Sequence, residues 1–339
     1  MMAGERESTG LGAIGYASTM GDWRYTRGLH DLGDGLYAWL QPDGGWGWSN
    51  AGLITSDGEA LLVDTLMGVQ LTREMLDAMA KASPAAGKIG RLVNTHSNVD
   101  HTLGNQLLAG AEIIAARETA EAIAASNPAD LANVAAWEQS GEAGEFFLET
   151  MGRTFDFTGV TVTAPNRTFE RELEVRVGSK TVRLTNLGPA HTEADTIVYS
   201  AADKTVFTGD LLFNQGHPIV WNGPIANWTA ACDHICGLDV DVVVPGHGPI
   251  TDKSAVRNLK AYFEFVLAEA KQRLDAGLAW EEAANDIALD GFRGWGESER
   301  IVANVRAAYR ELGGDVGSSG AGGVFGAMQR YRRSHGHAH

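Results

Sequence analysis

Apolar and β-branched residues occur along this chain in short runs bounded by Gly, Pro, Asn and Asp, a pattern typical of buried β-strands. The runs fall into two blocks. The first block predicts strands at 35–40, 49–55, 60–64, 91–95 and 112–115. The second predicts strands at 160–163, 172–177, 181–187, 195–199, 205–208 and 240–244. Two separate blocks favour two facing sheets over one continuous parallel sheet.

Helical spacing of apolar residues marks several segments outside these strands. One face of a helix at 70–81 collects Leu71, Met75, Leu76 and Met79. We predict further helices at 226–237, 254–276, 279–288 and 298–312. The late helices are expected to join an outer shell, since an amphipathic helix must bury its apolar face against another element.

The segment 117–150 is rich in Ala and Glu and predicts two helices, broken near Asn127 and Pro128. It separates one polar strand end from the next strands, so it could cover a site there as a lid. An ordinary outer helical layer is the alternative interpretation.

Weakly patterned segments at both ends bound one domain. Residues 1–34 predict an irregular N-terminal arm, and 313–339 predict a Gly-rich linker followed by a solvated basic tail. Residues 35–312 are then a single domain, with a helical insert at about 117–150 and C-terminal helices at 251–312.

Charge and composition narrow the classes of partner. The 339 residues carry a net charge of −16, from 27 basic and 43 acidic side chains. This acidity argues against nucleic acid or an anionic membrane surface, because both attract Lys and Arg. We expect neither a secretory signal nor an apolar run of the ~18 residues that a membrane span needs. Cys232 and Cys236 are interpreted as reduced thiols, and we expect a cytoplasmic protein. We expect its partner to be a small-molecule substrate rather than a nucleic acid or a membrane.

Five of the predicted strands are followed by residue types that bind metals. These residues are Asp64 at the end of the third strand, the cluster His96, Asn98, Asp100 and His101 after 91–95, and His191, Asp210 and His247 after later strands. In open α/β sheets, sites gather at the carboxyl ends of strands. A lone buried His is usually structural, but four at strand ends rarely share a structural reason.

This order of motifs resembles the metallo-β-lactamase superfamily over roughly residues 35–250. The matching residues are Asp64, the loop His96-Ser97-Asn98-Val99-Asp100-His101, the turn Gly188-Pro189-Ala190-His191-Thr192, Thr208-Gly209-Asp210 and Pro245-Gly246-His247-Gly248. The resemblance implies an α/β fold, an αβ/βα four-layer sandwich with additional helices here, and a di-metal cleft at one edge. The chain departs from the family pattern at Asn98, where a His is usual.

The resemblance also implies a set of metal ligands. A first pocket would be lined by His96, position 98 and His191, and a second by Asp100, His101 and His247, with Asp210 bridging the two. We expect one or two divalent ions, zinc or else iron or manganese, since imidazole and carboxylate suit all three. We expect Asp100, His191 and Asp210 to take part directly in catalysis. Asp64 and Asp195 are interpreted as carboxylates that orient ligands or brace loops.

Asn98 leaves the number of metal ions open. A carboxamide oxygen is harder and less basic than imidazole, so zinc should bind the first pocket more weakly, or manganese or iron could be favoured. Three outcomes follow: two metals with Asn98 as an oxygen ligand or a hydrogen-bond partner, one metal in the second pocket, or no functional metal.

These observations favour a hydrolase in which a metal-bound hydroxide attacks an ester, lactone, thioester, amide or activated aryl group. One alternative is a sulfur dioxygenase-like oxidoreductase with a single iron. Another is a non-catalytic subunit that pairs with an active homologue. We expect the protein to form an oligomer, and the sequence leaves open whether it is a homo- or a hetero-oligomer. A flavin-linked di-iron enzyme is disfavoured, because the segment after residue 250 is too short and helical for a flavin domain.

Large aromatic residues are expected at the substrate rim. The rim candidates are Trp46, Trp48, His217, Trp221 and Asn222, which lie in an early Gly-rich turn and in the long loop after Asp210. Together they could form an apolar wall for an acyl or aromatic group. Packing of these rings in the core or at the surface is the alternative.

Overall fold

The computed structural model describes residues 24–42, 45–318 and 320–336. In these residues the first sheet has seven strands, ordered as they occur in the chain. They are β1 (Gly28–Gly33), β2 (Leu36–Leu40), β3 (Ala51–Ser56), β4 (Glu59–Val63), β5 (Arg91–Val93), β6 (Glu112–Ala116) and β7 (Arg167–Phe169). Strands β1 to β4 pair antiparallel, and β4 to β7 pair parallel. The parallel half therefore brings the carboxyl ends of β4 and β5 to one edge.

The second sheet has five strands in the same described ranges, in the order β12-β11-β10-β9-β8. They are β8 (Glu172–Val177), β9 (Lys180–Asn186), β10 (Thr196–Ser200), β11 (Thr205–Phe207) and β12 (Val242–Val244). Strands β11 and β12 pair parallel and the others antiparallel. The carboxyl ends of β11 and β12 thus lie side by side.

Helices connect and cover the two sheets. They are α1 (Val69–Ala82), α2 (Arg117–Ala125), α3 (Pro128–Ala132), α4 (Val134–Glu138), α5 (Gly141–Phe147), α6 (Ile225–Gly237), α7 (Lys253–Asp275), α8 (Trp280–Asp286), α9 (Ile301–Glu311) and α10 (Ala321–His335). Of the helices in these ranges, none is long and apolar enough to cross a membrane.

The alternation of side chains along the strands explains the layering. In β4, Leu61 and Val63 join the core between the two sheets, while Leu62 joins the cluster that packs on α1. In β10, Val198 belongs to the inter-sheet core and Ile197 packs with the helices that cover the second sheet. The order helix, sheet, sheet, helix confirms the predicted αβ/βα four-layer sandwich.

Two predictions about strands were wrong. The expected strand at 160–163 does not form; instead β7 pairs with β6 a few residues later. The side chain of Asn166 accepts a hydrogen bond from Ile113 N (2.9 Å) and so holds the preceding loop against the sheet edge. Within the arm predicted as irregular, 28–33 forms the edge strand β1. Its half-exposed side chains give no apolar signal, because backbone pairing with β2 forms it; residues 1–23 lie outside the described part.

The Gly-rich linker and solvated tail predicted at 313–339 do not describe residues 321–335, which form α10. The buried apolar side chains are Val324, Ala327, Met328 and Tyr331, a spacing of three, four and seven residues that defines one helical face. The Gly-rich surroundings concealed this signal. His337 and His339 of the predicted tail lie outside the described residues.

The insert at 117–150 forms α2 to α5 followed by a π-helical turn at Leu148–Gly152, rather than two helices. The predicted break near Pro128 coincides with the start of α3. Proline is tolerated there because the first turn of a helix has no internal partner for its missing N–H.

Candidate metal centre

Five strands deliver a His or an Asp to one edge of the sandwich. Asp64 follows β4, the loop 96–101 follows β5, His191 lies between β9 and β10, Asp210 follows β11, and His247 follows β12. All of these side chains are buried or nearly so. The structure therefore brings together the strand-end residues that the sequence singled out.

Asp210 lies at the middle of this cluster. Its Oδ2 is 3.2 Å from His191 Nε2, 3.4 Å from His247 Nε2 and 3.7 Å from His96 Nε2. Its Oδ1 is 3.1 Å from His101 Nε2. One carboxylate is thus within reach of all four imidazoles, the arrangement expected of a group that bridges two positions.

The four rings are fixed by hydrogen bonds from their Nδ1 atoms. The acceptors are Thr95 Oγ1 for His96 (3.0 Å), Asp64 Oδ2 for His101 (3.0 Å), Ile219 O for His191 (2.7 Å) and Trp48 O for His247 (3.1 Å). Thr95 donates its own hydroxyl to Asp64 Oδ2 (2.6 Å), so it acts as an acceptor toward His96. With Nδ1–H engaged outward, each Nε2 points to the centre, where a neutral ring offers its lone pair to a metal.

Of the groups of side chains that could hold a metal ion, two surround this centre. One consists of His96, His191 and Asp210, and the other of Asp100, His101 and His247, with the ligand atoms of each group within 4.8 Å of one another. His96 Nε2 is buried and makes no hydrogen bond. An acceptor left unsatisfied in a buried site calls for an ion or a water, and imidazole with carboxylate suits a divalent transition metal.

Asp64 and Asp195 hold the frame around the cluster. Asp64 accepts hydrogen bonds from Thr95 N (2.7 Å) and from His101, and its backbone has a φ of 62°. Asp195 accepts from Ala190 N and Thr192 N, both at 3.1 Å, and thereby braces the turn that carries His191. A strained and hydrogen-bonded backbone position such as that of Asp64 is typical of functional sites.

A close backbone approach places Asp210. A Cβ atom added at Gly246 would lie 2.0 Å from Asp210 Oδ1, well inside van der Waals contact. Gly246 N also donates to Gly209 O (2.8 Å), which ties the loop after β12 to the loop after β11. Glycine at 246 is therefore required for the bridging carboxylate to take its position.

When no metal is bound, the histidines and carboxylates of the cluster shift one another's pKa values. Burial opposes the charge on His247, but Asp210 and Asp100 outweigh it and raise the pKa of His247 to about 9. The same balance raises the pKa of His101 well above its usual value. Burial is likewise outweighed at Asp100, whose pKa falls to about 2 because of His101 and His247. His96 differs, because burial dominates and holds its pKa well below the usual range.

We expect metal binding to the stripped protein to release protons at neutral pH. His101 and His247 are protonated there, and a metal binds only the neutral ring, so filling the second group should release about two protons at pH 7. Calorimetry in buffers of different ionisation enthalpy measures this number, which should fall at pH 9.5. A heat that does not depend on the buffer at pH 7 would contradict the charge assignment.

The same pKa shifts predict how the stability of the stripped protein depends on pH. The folded pKa of His247 lies above its usual 6.5, so its stabilising effect is complete below about pH 6.5 and is lost as the pH rises through about 9. The midpoint of thermal unfolding of the stripped protein should therefore decrease between pH 7 and pH 10.

Asn98 contacts the first group directly. Its Nδ2 is 2.9 Å from His191 Nε2, and because His191 Nδ1 donates to Ile219 O, His191 Nε2 acts as the acceptor. The amide thus occupies the same lone pair that a metal in the first group would use. This contact supplies a structural reason for treating the first group as the weaker of the two.

A cavity of about 260 Å³ opens over the cluster and is lined by Asn98, Asp100, His191, Asp210 and His247. Of the predicted rim residues, Trp46 and Trp221 line it. Asn222 lines a neighbouring cavity together with Asn98.

Trp48 and His217 do not line this cavity. Trp48 packs against Phe155, with ring centroids 4.8 Å apart, and contributes only its carbonyl to His247. His217 is 1% exposed and packs against Tyr262 and Trp295, because its loop folds inward beneath α9. The interpretation of His217 as a rim residue does not fit this position.

Several lining residues were not found from the sequence. They are Leu131, Trp137 and Phe147 of the insert, Met151 directly after it, Phe213, Ile219, Arg300 and, from α10, Phe325. The insert does cover the site, as the lid interpretation proposed. Thr95, which holds His96 and Asp64, lies directly before His96, so the motif itself could have pointed to it. Arg300 and Phe325 reach the cavity only through tertiary contacts, which no local sequence pattern reports.

Comparison with known proteins identifies similar folds. Residues 44–247 match the family profile described as Metallo-beta-lactamase superfamily. The inverting sec-alkylsulfatase Pisa1 from Pseudomonas sp. has a TM-score of 0.61 and 21% identity, covering 86% of this chain and 51% of its own. This chain therefore spans about half the length of that sulfatase. No curated protein matches the sequence significantly.

Two further solved structures share the fold. A metallo-beta-lactamase family protein from Thermus thermophilus has a TM-score of 0.59 and 22% identity, covering 84% of this chain and 95% of its own. The metallo-beta-lactamase DIM-1 has a TM-score of 0.51 and 16% identity, covering 69% of this chain and 94% of its own. Identities this low establish the architecture and leave the reaction to be argued from the site.

Proposed function

The chain belongs to the metallo-β-lactamase superfamily, and we propose that it is a metal-dependent hydrolase of a small-molecule substrate. The observation that carries this proposal is the convergence of four oriented imidazole Nε2 atoms on the buried carboxylate of Asp210. The cluster lies beneath a mostly apolar cavity, which offers a place for the substrate. The bond cleaved would be that of an ester, lactone, thioester, amide or activated aryl group.

We propose that His96, His191 and Asp210 hold one divalent ion and that Asp100, His101, His247 and Asp210 hold a second, with zinc the first choice. When bound, such ions lower the pKa of a coordinated water toward ~7 and offset negative charge that develops on the substrate. Asn98 would serve the first position as an oxygen ligand or as a hydrogen-bond donor.

The protein's own groups are suited to this role at neutral pH. The pKa values of Asp100 and Asp210 are lowered despite burial, so both carboxylates are ionised and together contribute two negative charges. Thr95, Asp64 and the carbonyls of Ile219 and Trp48 fix the four rings, which reduces the reorganisation needed on binding. Trp46, Phe147 and Trp221 limit water around the cluster and offer an apolar wall to the substrate.

A hydrolysis screen on stripped and reloaded protein tests the proposal. Activated esters, a lactone, a thioester and an anilide are offered to the protein after chelation and after refilling with zinc, manganese or iron. We expect at least one class to be hydrolysed only by the refilled protein. Hydrolysis at equal rates with and without metal would contradict the proposal, and oxygen uptake by the iron form without hydrolysis would replace it with an oxidative function.

A pair of variants ties the activity to the site. His247→Ala should reduce metal content and lower turnover by at least about a hundredfold, since it removes a ligand that faces Asp100 at 3.3 Å. His234→Ala, at an exposed position of α6, is the matched control and should behave as wild type. An unchanged rate in His247→Ala would exclude this cluster as the active site.

A further inference from the structure

The C-terminal helix α10 reaches the cavity above the metal cluster. Phe325, one of its residues, lines this cavity. Its ring centroid lies 5.8 Å from that of Trp221 and 6.2 Å from that of Trp46, both in edge-to-face contact. Phe325 therefore joins the aromatic wall from a part of the chain well beyond residues 44–247, which match the superfamily.

The position of Phe325 is fixed from two sides. The apolar face of α10 is buried, and Arg330 and Arg333 form ion pairs with Glu142 of α5. Phe325 also stacks on Phe146 of α5, with ring centroids 5.3 Å apart. The helix is thus docked onto the insert that covers the site, and the two elements enclose the cavity together.

The part of the cavity lining outside the metal cluster is mostly apolar. Its aromatic members include Trp46, Trp137, Phe147, Phe213, Trp221 and Phe325. Beyond the cluster itself, the charged residue lining the cavity is Arg300, and its guanidinium carbon lies 4.5 Å from the Trp46 ring centroid and 5.2 Å from that of Phe213. Aromatic rings therefore cover this cation. Trp46 is held in turn by a hydrogen bond from its Nε1 to Glu299 Oε1 (2.9 Å).

The size of the cavity bounds what can fill it. At about 260 Å³ it falls just below the ~300–1,000 Å³ typical of sites for drug-sized ligands. A single aromatic ring or a branched chain of a few carbons fits within this volume.

We propose that this cavity binds an apolar acyl or aryl group of single-ring size and that Phe325 is a specificity-determining residue for it. The inference rests on the proposed hydrolase function, since it names the substrate class of the same site. An apolar group gains affinity by leaving water for this wall, and an aromatic group gains further from edge-to-face contacts. A polar group of equal size would lose its hydrogen bonds to water and find few partners.

A binding experiment tests this without relying on turnover. Phenylacetamide and acetamide are neutral, share one amide and differ by a single ring, so the ratio of their dissociation constants measures the apolar wall. We expect phenylacetamide to bind at least about tenfold more tightly, in stripped and in zinc-loaded protein, followed by calorimetry and by tryptophan fluorescence. Equal affinities would overturn the inference.

Variants assign the effect to Phe325. Phe325→Ala should weaken phenylacetamide about five- to tenfold and leave acetamide unchanged. Phe292→Ala is the matched control, because Phe292 is a half-buried aromatic that packs on Tyr262 and Trp295 outside this cavity. Phe325→Trp keeps an aromatic residue on α10 but narrows the cavity, so it should also weaken phenylacetamide and tests the idea if the alanine variant does not fold. Equal ratios in wild type and both Phe325 variants would contradict the assignment.

The outcomes separate this inference from the proposed function. Selective binding of phenylacetamide that depends on Phe325, with no hydrolysis of any ester or amide, would contradict the hydrolase proposal and still support an apolar binding site. Metal-dependent hydrolysis with no preference for apolar groups would do the reverse.

Discussion

Asp210→Asn should remove metal from both groups of the cluster and lower turnover by about a hundredfold to a thousandfold, the cost of losing one charged stabilising group in an active site. Asp210 has carboxylate oxygens within 3.7 Å of the Nε2 atoms of His96, His101, His191 and His247. Asn keeps the shape of the side chain but lacks its negative charge. In the variant, Asp100 would be the remaining carboxylate to offset the charge of an ion in the second group.

The same substitution should change the protonation of its neighbours. Asp210 is the main cause of the raised pKa of His247, so in Asp210→Asn that ring should lose its proton at lower pH and fewer protons should be released on metal addition. Metal content, kcat and the buffer dependence of binding heat measure the three effects together. Asp233→Asn, at an exposed position paired with Lys260, is the control for a lost surface charge. Full metal content and an unchanged kcat in Asp210→Asn would refute the bridging role.

Asn98→His should tighten zinc at the first group by at least about tenfold and raise the zinc content of the purified protein. The wild-type amide lies 2.9 Å from His191 Nε2 and competes for the lone pair that a metal needs. Imidazole would replace this competitor with a softer nitrogen ligand, which zinc prefers over a carboxamide oxygen. Turnover should change as well, because the new ligand moves the first ion.

The comparison is made by metal stoichiometry and kcat on both proteins under the same supply of zinc, iron and manganese. Asn98→Ala serves as the control, since it removes the amide without adding a ligand and separates release of His191 from gain of an imidazole. Equal stoichiometry and equal rates for wild type and Asn98→His in all three metals would make position 98 a spectator.

The cluster residues could be predicted from the sequence because their signals are local. An apolar run predicts a strand such as β5 or β11, and a His or Asp directly after it must lie at the strand's carboxyl end. Asp64, His96, Asp210 and His247 were found in this way, without knowledge of which strands pair.

The cavity wall could not be predicted in the same way. Trp46 and Phe325 meet although they are far apart in sequence, and their contact depends on how α10 docks onto α5 through Arg330, Arg333 and a buried apolar face. His217 shows the converse error. It lies in the loop after Asp210, where rim residues were expected, yet hydrogen bonds from Arg300 and Asn304 to the carbonyls of His217 and Pro218 draw that loop into the core.

The network around Asn304 also links α9 to the cluster. Asn304 donates to Pro218 O (2.8 Å) and accepts from Val220 N (2.9 Å), and the intervening Ile219 carbonyl orients His191. A helix outside the segment that matches the superfamily thus contributes to the position of a candidate ligand. Sequence spacing alone carries no trace of this connection.

Anomalous diffraction from crystals of the zinc-loaded protein tests most directly whether the His and Asp residues at the strand ends hold metal. Data collected above and below the zinc absorption edge locate the ions without reference to activity. We predict a strong anomalous peak among Asp100, His101, His247 and Asp210, and a second, weaker peak beside His96, His191 and Asn98. Zinc-saturated crystals without a peak in this cluster, or with zinc bound only elsewhere, would contradict the assignment of these residues as metal ligands.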